Sequence, residues 1–181
     1  MITIKEFKDN DISFFFINKL IKDNIIERAS KGIYNKTEDF EDDYFIIQNR
    51  YNKTVFSYNT ALFSLGKTEV TPNRIDITVP KGYNAHRIKD KYRIHYISKK
   101  YFDLGLIEIT TPFGNKVKCY NLERTICDLV RSNKAGLDTE QINKVIRNAF
   151  LKNQINSIIL KEYAVKLKCN KKIQALTEVL A

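Results

Sequence analysis

Apolar residues recur at helical spacing near the start of the chain. With residues 13 to 24 placed at 100° steps, Phe16, Ile17, Leu20 and Ile21 fall on one side, and Phe15, Asn18, Lys19 and Lys22 on the other. The spacing predicts an amphipathic helix whose outer face is polar, basic and topped by one aromatic ring. A shorter helix is predicted ahead of it, because Thr3-Ile4-Lys5-Glu6 has the form of a capping box and Asp9-Asn10-Asp11 favours the turn that ends it. Ser13 is positioned to cap the second helix. Ile25 to Arg28 and Gly32 to Tyr34 then read as two short strands, with Gly32 free to take the positive φ of a tight turn.

The pattern changes from about residue 38. Residues 39 to 52 read as a helix, with Phe40, Tyr44 and Ile47 at i, i+4, i+7 and the acidic cluster Glu38, Asp39, Glu41, Asp42 and Asp43 near the positive end of the helix dipole. Ser57 to Leu65 reads as another, closed by Gly66. Residues 74 to 79 alternate polar and apolar as a half-buried strand does, with Asp76 at an outward position. Further strands are predicted at 92 to 97, 106 to 111 and 116 to 120, the last two forming a hairpin around Pro112-Phe113-Gly114-Asn115. Asn121 caps a helix through Arg131 and Asp138 one through Leu151; two more cover 155 to 168 and 170 to 180. The fold class is α+β, divided into a small module at residues 1–36 and a domain at 37–181 with an antiparallel sheet and several helices. No internal repeat is present.

Helix, turn, helix and a basic-tipped hairpin is the order of a winged helix-turn-helix. In that arrangement Asn18, Lys19 and Lys22 meet base edges or phosphates in the major groove, while Arg28, Ser30 and Lys31 bring the hairpin to the backbone. The plainer alternative is an amphipathic helix packed on a hairpin.

Charge sharpens the first reading. The formal net charge is +10, from 31 Lys and Arg against 21 Asp and Glu, which makes a polyanion the expected partner. Residues 81 to 100 carry Lys81, Arg87, Lys89, Lys91, Arg93, Lys99 and Lys100 against only Asp90, and Lys161, Lys166, Lys168, Lys171 and Lys172 form a second basic group. Simple solvation of the surface by lysines is the alternative. A hydrophobic content of 43% without low-complexity tracts indicates a folded chain. The longest apolar run, Phe14 to Ile17, is too short to span a bilayer, and no secretory leader opens the chain, so no membrane partner and a cytoplasmic location are expected. Cys119, Cys127 and Cys169 are odd in number and lack zinc-site spacing, which predicts buried reduced thiols.

Little in the sequence suggests catalysis. The six glycines do not cluster into a phosphate loop. His86 and His95 lack a Cys or His at ligand spacing, so no metal and no other cofactor is expected. The enzyme alternative is a metal-dependent nuclease using Asp76, Lys81, Asp103 and Glu108, whose spacing misses the usual acid-x-Lys pattern. In Tyr120 to Arg131, Leu122, Ile126, Leu129 and Val130 share a face, and Arg124 and Asp128 are spaced for a helical ion pair; alternatively Arg124 and Arg131 extend the basic surface.

The segments LIKDNIIERASKGIY, SYNTALFSLGKTE, RIDITVPKGYN and VKCYNLERTICDLVR occur in an order and spacing that resembles the AbiEi antitoxins of type IV toxin–antitoxin systems. The resemblance covers nearly the whole chain. It implies a winged-helix module that represses its own operon at promoter inverted repeats. It also implies a C-terminal domain, without a catalytic site, that counters a nucleotidyltransferase toxin without a stable direct complex. Carried onto this sequence, the DNA-reading role falls on Ser13, Phe15, Asn18, Lys19, Lys22, Arg28, Ser30 and Lys31, and antitoxicity on the basic residues of 81 to 100. The family's usual additional helix ahead of the capping box is missing here, which predicts that Ile4, Phe7 and part of Leu20 are left exposed. A transcriptional regulator with a ligand-sensing C-terminal domain is a third reading.

Overall fold

Thr3 starts the first helix as its sequence predicts. In the computed structural model, which describes residues 1–132 and 139–180, and of 139, 179 and 180 the backbone alone, the Thr3 hydroxyl accepts from the Glu6 amide at 3.2 Å and the Glu6 carboxylate accepts from the Thr3 amide at 2.7 Å. This reciprocal box follows a two-residue strand β1 (Ile2–Thr3) and opens α1 (Ile4–Asp9). Asp11 takes a φ of 56° in the turn, and Ser13 then caps α2 (Phe14–Lys22). β2 (Ile26–Ser30) and β3 (Ile33–Lys36) follow, joined through Lys31 and Gly32. At Gly32 φ is 74°, and an added Cβ would press on Ile4 Cγ2 at 3.3 Å, so the site favours glycine on both counts.

The three strands form one sheet in the order β1-β3-β2, with Ile2 opposite Tyr34 and Ser30 opposite Ile33. Phe7, Ile17, Ile26 and Tyr34 are buried together, and the Phe7 and Tyr34 rings meet edge to face at 5.6 Å. Contrary to expectation, Phe7 is therefore covered. Strand β1 draws the hairpin back over α1, and that contact supplies the burial without a further helix; each such side chain contributes about 1.5–3 kcal/mol.

The predicted helix at 39 to 52 is shorter than expected. α3 (Asp43–Arg50) begins only after Asp42, whose carboxylate accepts from the Phe45 amide at 3.1 Å. The same carboxylate accepts from Thr111 Oγ1 at 2.5 Å and Asn115 Nδ2 at 2.7 Å. Phe40 thus precedes the helix and is 84% exposed, while Ile47 is buried as predicted. The chain forms two compact units: Met1–Asn52 together with Thr110–Val117, and Lys53–Ile109 together with the residues from Lys118 onward.

A five-stranded sheet, all but Thr110, Lys116 and Val117 of it in the second unit, has the order β6-β5-β4-β8-β7, built from β4 (Val55–Phe56), β5 (Asp76–Pro80), β6 (Arg93–Ile97), β7 (Leu106–Thr110) and β8 (Lys116–Tyr120). It is mixed, and the expected antiparallel sheet is corrected. β4 pairs antiparallel with β5, but β5 pairs parallel with β6, Asp76 opposite Arg93, and β4 pairs parallel with β8. Residues 81 to 92 are long enough for the crossover that a parallel pair requires, and Ala85 and Ile88 anchor them by burial.

The helices agree more closely with expectation. α4 (Tyr58–Ser64) ends at Gly66, whose φ is 64°. α5 (Leu122–Arg131) is capped by the Asn121 side chain, and α7 (Ser157–Lys166) by Asn156. α6 (Thr139–Leu151) and α8 (Asn170–Leu180) complete the set; the Asp138 cap expected for α6 lies outside the described residues. α5 is the centre of this unit's helical core, with Leu122 to Leu129 buried without a break and Val130 half-buried. Glu123 on its far face accepts from the Asn156 amide at 2.9 Å. Cys119, Cys127 and Cys169 are buried free thiols, and burial pushes Cys119 up to about 12. The described residues therefore form an α+β fold with eight α-helices and two sheets. Among them no helix is long and apolar enough to cross a membrane.

Candidate nucleic-acid interface

Helix α2 turns its two faces much as the 100° pattern requires. Ile17 is buried, Leu20 and Ile21 are half-buried, and Asn18, Lys19 and Lys22 are exposed. Phe15 is 81% exposed. Phe16 departs from its predicted inward side and is 47% exposed, and Phe14 beside it is 60% exposed. Three successive helical positions span 200°, so one core cannot cover all three rings. The Ser13 oxygen accepts from the Phe16 amide at 3.3 Å, which leaves its hydroxyl proton available to an outside acceptor.

On the hairpin, Arg28 is exposed and its Nε donates to the Ser30 carbonyl at 3.4 Å, which folds the guanidinium over the turn. Lys31 stands exposed at the turn and Ser30 is half-buried. Lys36, paired across the hairpin with Ile26, is a further exposed cation. Sequence reading missed it because it lies beyond the predicted end of the strand.

In the second unit, Lys81, Arg87, Lys89 and Lys91 are exposed on the connection from β5 to β6. The connection is fastened by Ala85 and Ile88 beneath it and by Arg74, whose Nη2 donates to the Lys89 carbonyl. Lys99 and Lys100 are exposed on a 3₁₀ turn (Lys99–Tyr101), with the Lys100 ammonium 4.6 Å from the Tyr101 ring centroid. Arg93 differs from the other six. Its Nη1 lies 3.3 Å from an Asp76 carboxylate oxygen, so its charge is engaged within the fold.

Asp76 itself corrects another expectation. It is fully buried rather than outward. Its amide donates to Thr60 Oγ1 at 2.8 Å, and its carboxylate bonds His95 Nε2 at 2.7 Å as well as Arg93. Burial pushes the carboxyl above its usual range, against the pull of His95 and Arg93. Asp76 to Val79 are buried without a break, so both faces of β5 are covered and alternation along the strand did not imply a wet face. The nuclease set therefore loses its central member to a structural network. Asp103 and Glu108 are exposed, and among the described residues no three His, Cys, Asp or Glu side chains are grouped to share a metal ion.

His95 stacks on Tyr58, centroids 3.9 Å apart and planes at 22°. Tyr58 sits at a φ of 49°, a conformation that bulky side chains rarely adopt. Burial, then the nearby Asp128 charge, pushes its hydroxyl from 10 up to about 12, against the pull of Arg131 and Arg124. A phenol that loses its proton more easily in the unfolded chain contributes stability that is intact below pH 10 and lost as pH rises towards 12. The loss amounts to about 2–3 kcal/mol. Denaturant midpoints at pH 9 and pH 11.5 should show that fall, and Tyr58→Phe should flatten it by this share. An unchanged pH dependence in the variant would contradict the assignment.

Arg124 corrects the idea that it extends the basic surface. It is completely buried, with Nε 2.8 Å from Asp128, Nη1 donating to the Tyr101 and Leu104 carbonyls at 2.8 and 2.7 Å, and the guanidinium 4.1 Å from the Tyr120 ring centroid. The i, i+4 ion pair is thus present, as a core element. Arg131 Nη2 holds the other Asp128 oxygen at 3.1 Å. Neither a model of a known protein family nor a curated protein sequence matches this chain.

Proposed function

We propose that the first unit is a winged helix-turn-helix that binds DNA, and that the chain is a cytoplasmic antitoxin of the AbiEi type. In this reading it represses its own operon at promoter inverted repeats and counters a nucleotidyltransferase toxin. The observation that carries the reading is the sheet order β1-β3-β2 wrapped on two capped helices, with Asn18, Lys19 and Lys22 together on the uncovered side of α2. A strand ahead of the helix pair that joins the second strand of the following hairpin, and so makes that strand the central one, is connectivity that supports a winged helix. Lys31 and Arg28 then stand where such a hairpin meets phosphates.

Antitoxicity is ascribed to the exposed cations of the second unit. Arg93 is set apart from them, because reversing its charge would place a second carboxylate against buried Asp76. The test is growth rescue in cells expressing a nucleotidyltransferase toxin from the neighbouring gene. Reversing Arg87, Lys89, Lys91, Lys99 and Lys100 to Glu should abolish rescue while the thermal midpoint stays within a few degrees, because all five are exposed. Full rescue by that variant would remove the role from these residues. A toxin from the same operon that copurifies stoichiometrically with this chain would contradict antagonism without a stable complex.

A further inference from the structure

A cavity of about 470 Å³ opens in the second unit beside β6, in the size range of small-ligand sites. Its chemistry is one-sided. Lys81, Arg131, Lys166 and Lys168 reach it from three separate stretches of chain, together with the hydroxyls of Ser98 and Ser132. The carboxylates nearby are already engaged: Asp128 by Arg124 and Arg131, Asp76 by His95 and Arg93, Glu162 by Lys166 at 2.6 Å. Lys81 and Lys168 have no carboxylate partner among the described residues. Lys168 stands just after α7 with a backbone φ of 59°, a conformation that non-glycine residues seldom adopt.

The walls add a second requirement. Tyr58 and His95 form a stacked, buried pair against the cavity, and Tyr96 and Tyr101 line it as well. His95 Nε2 is used by Asp76, and its other ring nitrogen makes no hydrogen bond within the described residues. An inorganic oxyanion would satisfy the cations and leave most of the volume and all of the aromatic surface unused. A ligand that joins a phosphate to a planar ring uses both.

We propose that this cavity binds a nucleoside monophosphate, with the phosphate on Lys81 and Lys168 and the base against the tyrosine walls. The inference stands apart from the DNA-binding proposal, since none of its residues belongs to the proposed DNA-reading set, and it shares only Lys81 with the cations to which antitoxicity is ascribed. Calorimetric titration of the full chain with AMP, GMP, CMP and UMP tests it, with orthophosphate and the corresponding nucleosides as partial ligands. At least one nucleotide should bind once per chain with a Kd tighter than about 1 mM. Its nucleoside and orthophosphate should each bind at least about tenfold more weakly.

Lys81→Ala combined with Lys168→Ala should weaken nucleotide binding by about tenfold or more, because each lysine supplies a charge-assisted contact. Both side chains are exposed, so the variant should keep its thermal midpoint. Lys152→Ala with Lys171→Ala, both exposed and neither lining the cavity, should bind as the parent does. The proposal is overturned if no nucleotide saturates the chain, if orthophosphate binds as tightly as every nucleotide, or if the Lys81 and Lys168 variant keeps full affinity. Binding confined to polynucleotides would overturn it too, by assigning these cations to a backbone-tracking surface.

Discussion

Replacing Arg124 with Leu should lower the unfolding free energy of the second unit by about 3–5 kcal/mol, much of the stability of an ordinary domain. The cause is what the substitution leaves behind. Asp128 is almost wholly buried, and burial already pushes its carboxyl above the usual range, with Arg124 the largest force pulling it back, ahead of Arg131 and His95. Without Arg124 the carboxylate keeps only the half-exposed Arg131, and the Tyr101 and Leu104 carbonyls lose their donor. Gly105 packs against the base of this side chain, where an added Cβ would sit 2.6 Å from Arg124 Cβ. Chemical denaturation followed by circular dichroism reads the loss. Arg124→Leu with Asp128→Leu should recover most of it, since a buried pair replaced as a whole is often neutral. If the double variant is as unstable as the single one, the carbonyl contacts rather than the carboxylate dominate. A single variant within 1 kcal/mol of the parent would remove the network from the core's energetics.

The second large effect concerns DNA. Lys19→Ala with Lys22→Ala should make the dependence of log affinity on log salt shallower by about 1.8, the share of two neutralised phosphates. At physiological salt that corresponds to roughly a 30-fold loss of affinity for promoter DNA. The fold should not suffer, because both side chains are exposed on the face away from Ile17. Fluorescence anisotropy across a salt series separates the outcomes. Parallel salt slopes for variant and parent would take α2 out of the interface. A uniform loss over promoter and random DNA would mark the two lysines as phosphate contacts and leave base reading to Asn18.

What could be read from the sequence follows from how local each signal is. Caps announce themselves within four residues, so Thr3 with Glu6, Ser13, Asn121 and Gly66 were all legible. Strands β1 and β4 were not, because two residues carry no periodicity and their existence depends on partners 30 and 20 positions away or more. The parallel pairing of β5 with β6 was hidden for the same reason. Asp76 misled through its alternation, since only the tertiary fold covers both faces of its strand. Of the candidate surface, the cations outside Arg93 stand as their sequence suggests. At the start of α2 the exposure of Phe15 was legible from helical phase, whereas that of Phe14 and Phe16 was not.

The first unit is discontinuous along the chain: Asp42 is satisfied by Thr111 and Asn115, with residues 53–109 belonging to the other unit in between. On the ribosome, the first 52 residues therefore emerge with the Asp42 carboxylate still lacking its Thr111 and Asn115 donors, and synthesis at ordinary rates delivers them on the order of several seconds later. The first unit gains its full set of bonds only after most of its neighbour has been made, so a product ending before Thr111 would leave Asp42 with its helix-cap bond alone.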